Sequence, residues 1–214
     1  MGKIIKLSPS SLSLFLECPR CFWLTQVKGI KRPRGPMPSI AIGLDSIIKK
    51  YFDSYRNSNE LPPLLKDKIP GKLAEGMPKM LSYKANNSSL LWGRPDDYLK
   101  LDDVCYAVLD HKTRASQPSE IHPAFQFQMD IYNFLLQANN YRTKNTAYLV
   151  FYYPGKGDLH DGFPFEVHVE EVKTDPARAL QVFGEALAVL SREIPEPHKT
   201  CEYCKWLGEV EEVI

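Results

Sequence analysis

The sequence has no long apolar run: nothing in its 214 residues approaches the roughly 18 consecutive apolar positions of a membrane-spanning helix, which argues against a membrane partner. Met1 to Ser13 lacks the charged, apolar and small-residue zones of a secretory leader, so a cytoplasmic location is expected. There is no G-x-x-x-x-G-K-S/T loop, which speaks against a built-in nucleotide-driven motor. The G-x-S-x-G elbow of a serine hydrolase is missing too. Net charge is nearly absent, with 27 Lys and Arg against 26 Asp and Glu, so bulk charge announces no polyanion partner. Cysteines number only five, and in a reducing compartment they are not expected to pair as structural disulfides. No two histidines stand at metal-ligand spacing. His122 and His198, each beside a proline, and His160 in the 155–162 loop are therefore expected to be solvated or capping.

Apolar content of 43% and charged content of 25% suit a globular protein, and the length suits one domain over 1–214. Ser8-Pro9 ahead of Leu12, Leu14, Phe15 and Leu16 reads as a capped helix start. A Pro/Gly-containing loop follows, where Lys28, Lys31, Arg32 and Arg34 gather; such a loop either contacts phosphates or is solvated. Leu44, Ile47, Ile48, Tyr51, Phe52 and Tyr55 recur at helical spacing. Residues 57–90 are broken by prolines and by Asn86-Asn87. Leu90–Leu99 and Val104–Thr113 flank a turn at Leu101-Asp102-Asp103 and read as a β-hairpin. A second helix carries Phe125, Met129, Tyr132 and Leu136. Strands are expected at Ala147–Tyr153 and Phe163–Val172, and Asp175-Pro176 opens a last helix. Cys105 alternates into an apolar strand as a core residue. The order of elements indicates an α/β fold, a mixed sheet with helices packed on it.

Within that order, Gly93-Arg94-Pro95-Asp96 precedes Asp110-His111-Lys112-Thr113 by one strand. Alternation along a strand puts Asp110 and Lys112 on one face and His111 on the other. Asp96, on the partner strand, can share the face of Asp110, while Asp97 points away from it. Two converging carboxylates suit Mg²⁺ or Mn²⁺, which prefer oxygen ligands. A lysine beside such an ion can position water and neutralise charge on a phosphate. Gln128 and Tyr132, four residues apart on the next helix, share one face.

Together these residues resemble the PD-(D/E)XK nuclease superfamily, and within it the RecB-type and CRISPR-associated exonuclease branch. That branch carries G-x-x-D, then D-x-K-T, then Q-x-x-x-Y on successive elements. The resemblance implies a restriction-endonuclease-like core, a metal held by Asp96, Asp110 and the backbone carbonyl of His111, and catalytic assistance from Lys112. Gln128 and Tyr132 would orient the lysine or the nucleic-acid backbone. One motif departs. Where the family places a histidine in G-x-x-x-H, this chain reads Gly43-Leu44-Asp45-Ser46-Ile47. Asp45 is then either a substitute oxygen ligand or an exposed aspartate.

Cys18-x-x-Cys21 and Cys201-x-x-Cys204 stand far apart in sequence, and two such bites complete a four-thiolate metal site joining the two ends. Zinc and a [4Fe–4S] cluster both take four thiolates. The resemblance points to the cluster, although the branch divides its cysteines one and three rather than two and two. The expected function is a metal-dependent deoxyribonuclease on single strands or ends, in repair, recombination or CRISPR-type processing, beside a separate helicase or repair protein. The other reading is a nucleic-acid-binding or assembly module with little cleavage activity.

Overall fold

The computed structural model describes residues 4–33, 35, 39–56, 58, 60–158, 160 and 162–213. A short strand β1 (Ile5–Leu7) ends at Ser8, whose side chain accepts from the Ser11 amide at 3.3 Å while the Ser11 hydroxyl accepts from the Ser8 amide at 3.2 Å. This reciprocal cap, with Pro9 at the first helical position, fixes the start of α1 (Pro9–Glu17). Pro19 then opens α2 (Pro19–Trp23), which runs through one π turn to Gly29 in the left-handed region. Helix α3 (Ser39–Asp53) follows.

The long sheet is built from β2 (Lys72–Leu73), β5 (Asp97–Lys100), β6 (Cys105–Thr113), β8 (Thr146–Pro154) and β9 (Phe165–Lys173), in that spatial order. It is mixed: β6 and β8 run parallel, and the other neighbours on this path are antiparallel. The short β7 (Arg142–Thr143) pairs with the start of β6. A parallel pair needs a crossover. Here it is α4 (Pro123–Ala138), capped by the His122 ring, which accepts from the Ala124 amide. Helix α5 (Pro176–Leu190) packs beside it, with Asp175 accepting from the Ala177 and Arg178 amides.

Alternation divides the core in two. Val108, Leu149 and Phe151 point to the side of α1, α4 and α5, where Phe22, Phe127, Leu135 and Phe183 fill the space. Ala107, Leu109, Tyr148 and Val150 point to the opposite side, onto Phe52 of α3 and Leu65. Among the described residues no helix is long and apolar enough to cross a membrane.

Three expectations need correction. The strand expected over Leu90–Leu99 is two strands in different sheets. β4 (Ser89–Gly93) joins β1 and β3 (Leu81–Asn86) in a three-stranded sheet, and the chain turns at Arg94-Pro95-Asp96 before β5. Pro95 has no amide to donate to a ladder, so the strand breaks there. The helix after Asp175 is not the last, because α6 (Glu202–Glu211) follows; its Tyr203, Trp206, Leu207 and Val210 recur at helical spacing, yet none of them is buried. Cys105 is only half-buried, because it stands at the mouth of the β5–β6 turn, where β6 begins beside the short β7.

Candidate active site

Asp110 and Lys112 leave β6 on the α4 side, two residues apart. The Lys112 ammonium lies 2.5 Å from Asp110 Oδ2 and over the Phe125 ring at 4.8 Å. Helix α4 supplies the brace. Gln128 Oε1 accepts from Lys112 Nζ at 2.9 Å, and its amide nitrogen donates to Asp110 Oδ1 at 3.2 Å and to the Tyr132 hydroxyl at 3.0 Å. Tyr132 in turn donates to the carbonyl of Arg94 at 3.1 Å, which ties the helix to the corner preceding β5. The glycine of this corner has a steric reason. A Cβ at Gly93 would stand 2.7 Å from Tyr132 Cε1, closer than carbon atoms pack.

Asp110 is the electrostatic centre. Its side chain is 2% exposed, and burial pushes its carboxyl up to about 6, against the pull of Lys112 and with repulsion from Asp96 adding to the rise. Beyond the close ion-pair contact with Lys112, Oδ2 has no other polar partner. A buried carboxylate oxygen with unfilled acceptor capacity fits a cation ligand. Asp96 lies at the corner, not in a strand, and its Oδ2 accepts from the His111 amide at 3.0 Å. Asp96 and Asp45 both line a cavity of about 710 Å³ between α3 and the 74–80 segment. Asp45 is exposed there and is not gathered into a close ligand group with Asp96 and Asp110. Ile47, at the position of the family histidine, is 65% exposed and forms no wall of that cavity.

Behind the site, on the α3 face, stands a network that the sequence reading did not find. The Arg56 guanidinium reaches both oxygens of buried Asp97, at 2.7 and 3.0 Å. Asp97 Oδ2 also lies 3.3 Å from His111 Nε2, and His111 Nδ1 is 3.1 Å from the Tyr152 hydroxyl. The His111 ring packs on Phe52 at 4.3 Å. Thus Asp97 points away from Asp110, as alternation predicts. Its partners, 14 to 41 residues away, leave no local signal.

The four cysteines form a second centre. Sγ–Sγ distances are 3.8 Å for Cys18–Cys204, 3.6 Å for Cys21–Cys201 and 3.5 Å for Cys21–Cys204, and all four sulfurs lie within 4.8 Å of one another. These separations exceed a disulfide bond and leave the thiols free. Burial raises the Cys21 and Cys204 thiols; at Cys18 burial also pushes upward, but the amides of Cys21 and His198 together with the neighbouring Cys201 and Cys21 thiols bring it down to about 7. One residue of the basic loop, Arg32, meets this centre as well. Arg32 donates to Cys201 Sγ at 3.5 Å and to Glu17 at 2.6 Å, and its guanidinium lies over the Tyr203 ring. Lys28 lies over Trp23. Arg34 is outside the described residues.

A mixed sheet bearing a lysine–aspartate pair on one strand, braced by glutamine and tyrosine from the crossover helix, defines a nuclease-type fold and site. The sequence pattern of the PD-(D/E)XK nuclease superfamily matches residues 71–208, about two-thirds of the chain, and the chain belongs to that superfamily. Among solved structures, the crystal structure of SSO0001 shares the fold with a TM-score of 0.51 at 17% identity, over 97% of this chain and 86% of that one. An alkaline exonuclease (LHK-Exo) from Laribacter hongkongensis aligns over 99% of this chain and 96% of its own, with a TM-score of 0.45 and 10% identity. No curated protein matches the sequence.

Proposed function

We propose that the protein is a Mg²⁺- or Mn²⁺-dependent deoxyribonuclease of the RecB-type branch that hydrolyses phosphodiester bonds in single strands or at DNA ends. The observation that carries this reading is the buried Asp110 carboxylate in close ion-pair contact with a lysine that Gln128 holds from behind. Asp110, Asp96 and the backbone carbonyl of His111 would hold the ion. When bound, the ion supplies a Lewis acid and lowers the pKa of water. Lys112, its ammonium fixed by Gln128 Oε1, neutralises charge that develops on the phosphate and orients the attacking water. Gln128 and Tyr132 keep that lysine in one rotamer and hold the Arg94 corner, and so Asp96, at a fixed distance. The cavity beside Asp96 is walled by α3 on one side and the 74–80 segment on the other, which favours a strand or an end over the flank of a duplex. Without a P-loop of its own, the nuclease would work beside a separate helicase, repair or CRISPR-type protein.

A second reading, a binding or assembly module with little cleavage, is favoured by one observation: α3 presents Ile47 where the family has a histidine. Labelled single- and double-stranded DNA and RNA, incubated with Mn²⁺, with Mg²⁺ or with EDTA, separate the two. Metal-dependent cleavage of DNA that is lost in Asp110→Asn is the expected result. Wild-type protein that binds DNA and cuts nothing with either ion sinks the proposal.

A further inference from the structure

We infer that the four cysteines hold a single tetrahedral zinc ion and not an iron–sulfur cluster. The argument is geometric. Four thiolates on one zinc, each at about 2.3 Å, stand about 3.8 Å from one another along the edges of a tetrahedron. The sulfurs here are 3.5, 3.6 and 3.8 Å apart in three pairs, and none of the six pairs exceeds 4.8 Å. In a [4Fe–4S] cluster each thiolate binds its own iron on the outside of the cage, which spreads the sulfurs to roughly 6 Å. The sulfur spacing here matches a single ion and falls short of the spread that a four-iron cage requires.

Sequence spacing agrees with that geometry. The cysteines come as two C-x-x-C bites, from the start of α2 and the start of α6, and each bite grips one ion from one side. Polar neighbours match a tetrathiolate zinc, which carries two negative charges overall. The His198 amide points at Cys18 Sγ at 3.5 Å, and the Arg32 guanidinium supplies a positive charge at Cys201. Four protein ligands leave no open position for water, so the centre is structural and redox-silent.

Metal analysis of the intact wild-type chain tests this. Protein made in medium containing both iron and zinc and purified anaerobically is expected to be colourless, with about one zinc per chain and essentially no iron or acid-labile sulfide. Exchange of the zinc for Co²⁺ should give the intense visible bands of a tetrahedral cobalt thiolate. A brown protein with about four irons and four labile sulfides per chain overturns the inference. Folded protein holding neither metal overturns it equally.

Discussion

Replacing Asp110 by asparagine should make the metal-free site more stable while removing the charge proposed to hold the divalent ion. Burial pushes the carboxyl of Asp110 from its ordinary 3.8 to about 6, a value that already contains the attraction of Lys112. Because the folded state binds this proton more tightly than the unfolded chain, the sign is fixed. The contribution of Asp110 to stability is fully present below about pH 4 and is lost as pH rises through about 6. At pH 7.5 the loss amounts to about 3 kcal/mol, and at pH 5 to roughly half of that. Asp110→Asn abolishes the titration. In divalent-free buffer at pH 7.5, with the cysteine site left loaded, the variant should melt about 6–12 °C above wild type. The gain should shrink by about half at pH 5. Adding Mg²⁺ should raise the melting temperature of wild type and leave the variant unmoved. Scanning calorimetry at the two pH values measures all of this. A variant that is less stable than wild type at pH 7.5, or gains equally at both, refutes the account of Asp110 as a charge held against its own burial.

Lys112→Ala should lower single-turnover cleavage by on the order of 10²-fold or more while DNA affinity changes little; an unchanged rate removes Lys112 from the chemistry. Gly93→Ala forces a methyl against Tyr132 and should lose about 1–3 kcal/mol in urea unfolding. Gly184→Ala, inside α5 with nothing within 4 Å of the new Cβ, should instead gain about 1 kcal/mol. Asp97→Ala takes one partner from each of Arg56 and His111 and should destabilise by about 1–3 kcal/mol, and a shift below a few tenths would mean that the buried network is idle. Ser8→Ala removes the cap of α1 and should cost about 1 kcal/mol.

The parts of this molecule that could be read from sequence are those with a period. Alternation along β6 assigned Asp110 and Lys112 to one face and His111 to the other, and a four-residue step on α4 paired Gln128 with Tyr132. Two C-x-x-C steps announced their joint site because no other cysteine pair competes. What was illegible lacks a period. The strands β1 and β3 are short and owe their state to β4, so 81–86 read only as broken chain. The turn at 94–96 divides an apolar run that looks continuous, since a single proline also occurs at strand edges. Arg32 and Arg56 resemble any surface arginine until Cys201 and Asp97 arrive from elsewhere in the chain.

The cysteine centre also imposes an order on biogenesis. Cys18 and Cys21 leave the ribosome early, and Cys201 and Cys204 follow only about 180 residues later. Every residue from Asp96 to Tyr132 has been synthesised before the last thiolates exist. A chain stalled anywhere short of Cys204 carries the acidic and lysine face but cannot close the ring that ties α2 to α6. A metal held by the four thiolates would therefore stabilise only chains that have been extended past Cys204, and shorter ones would keep α2 and α6 untied and more open to proteolysis.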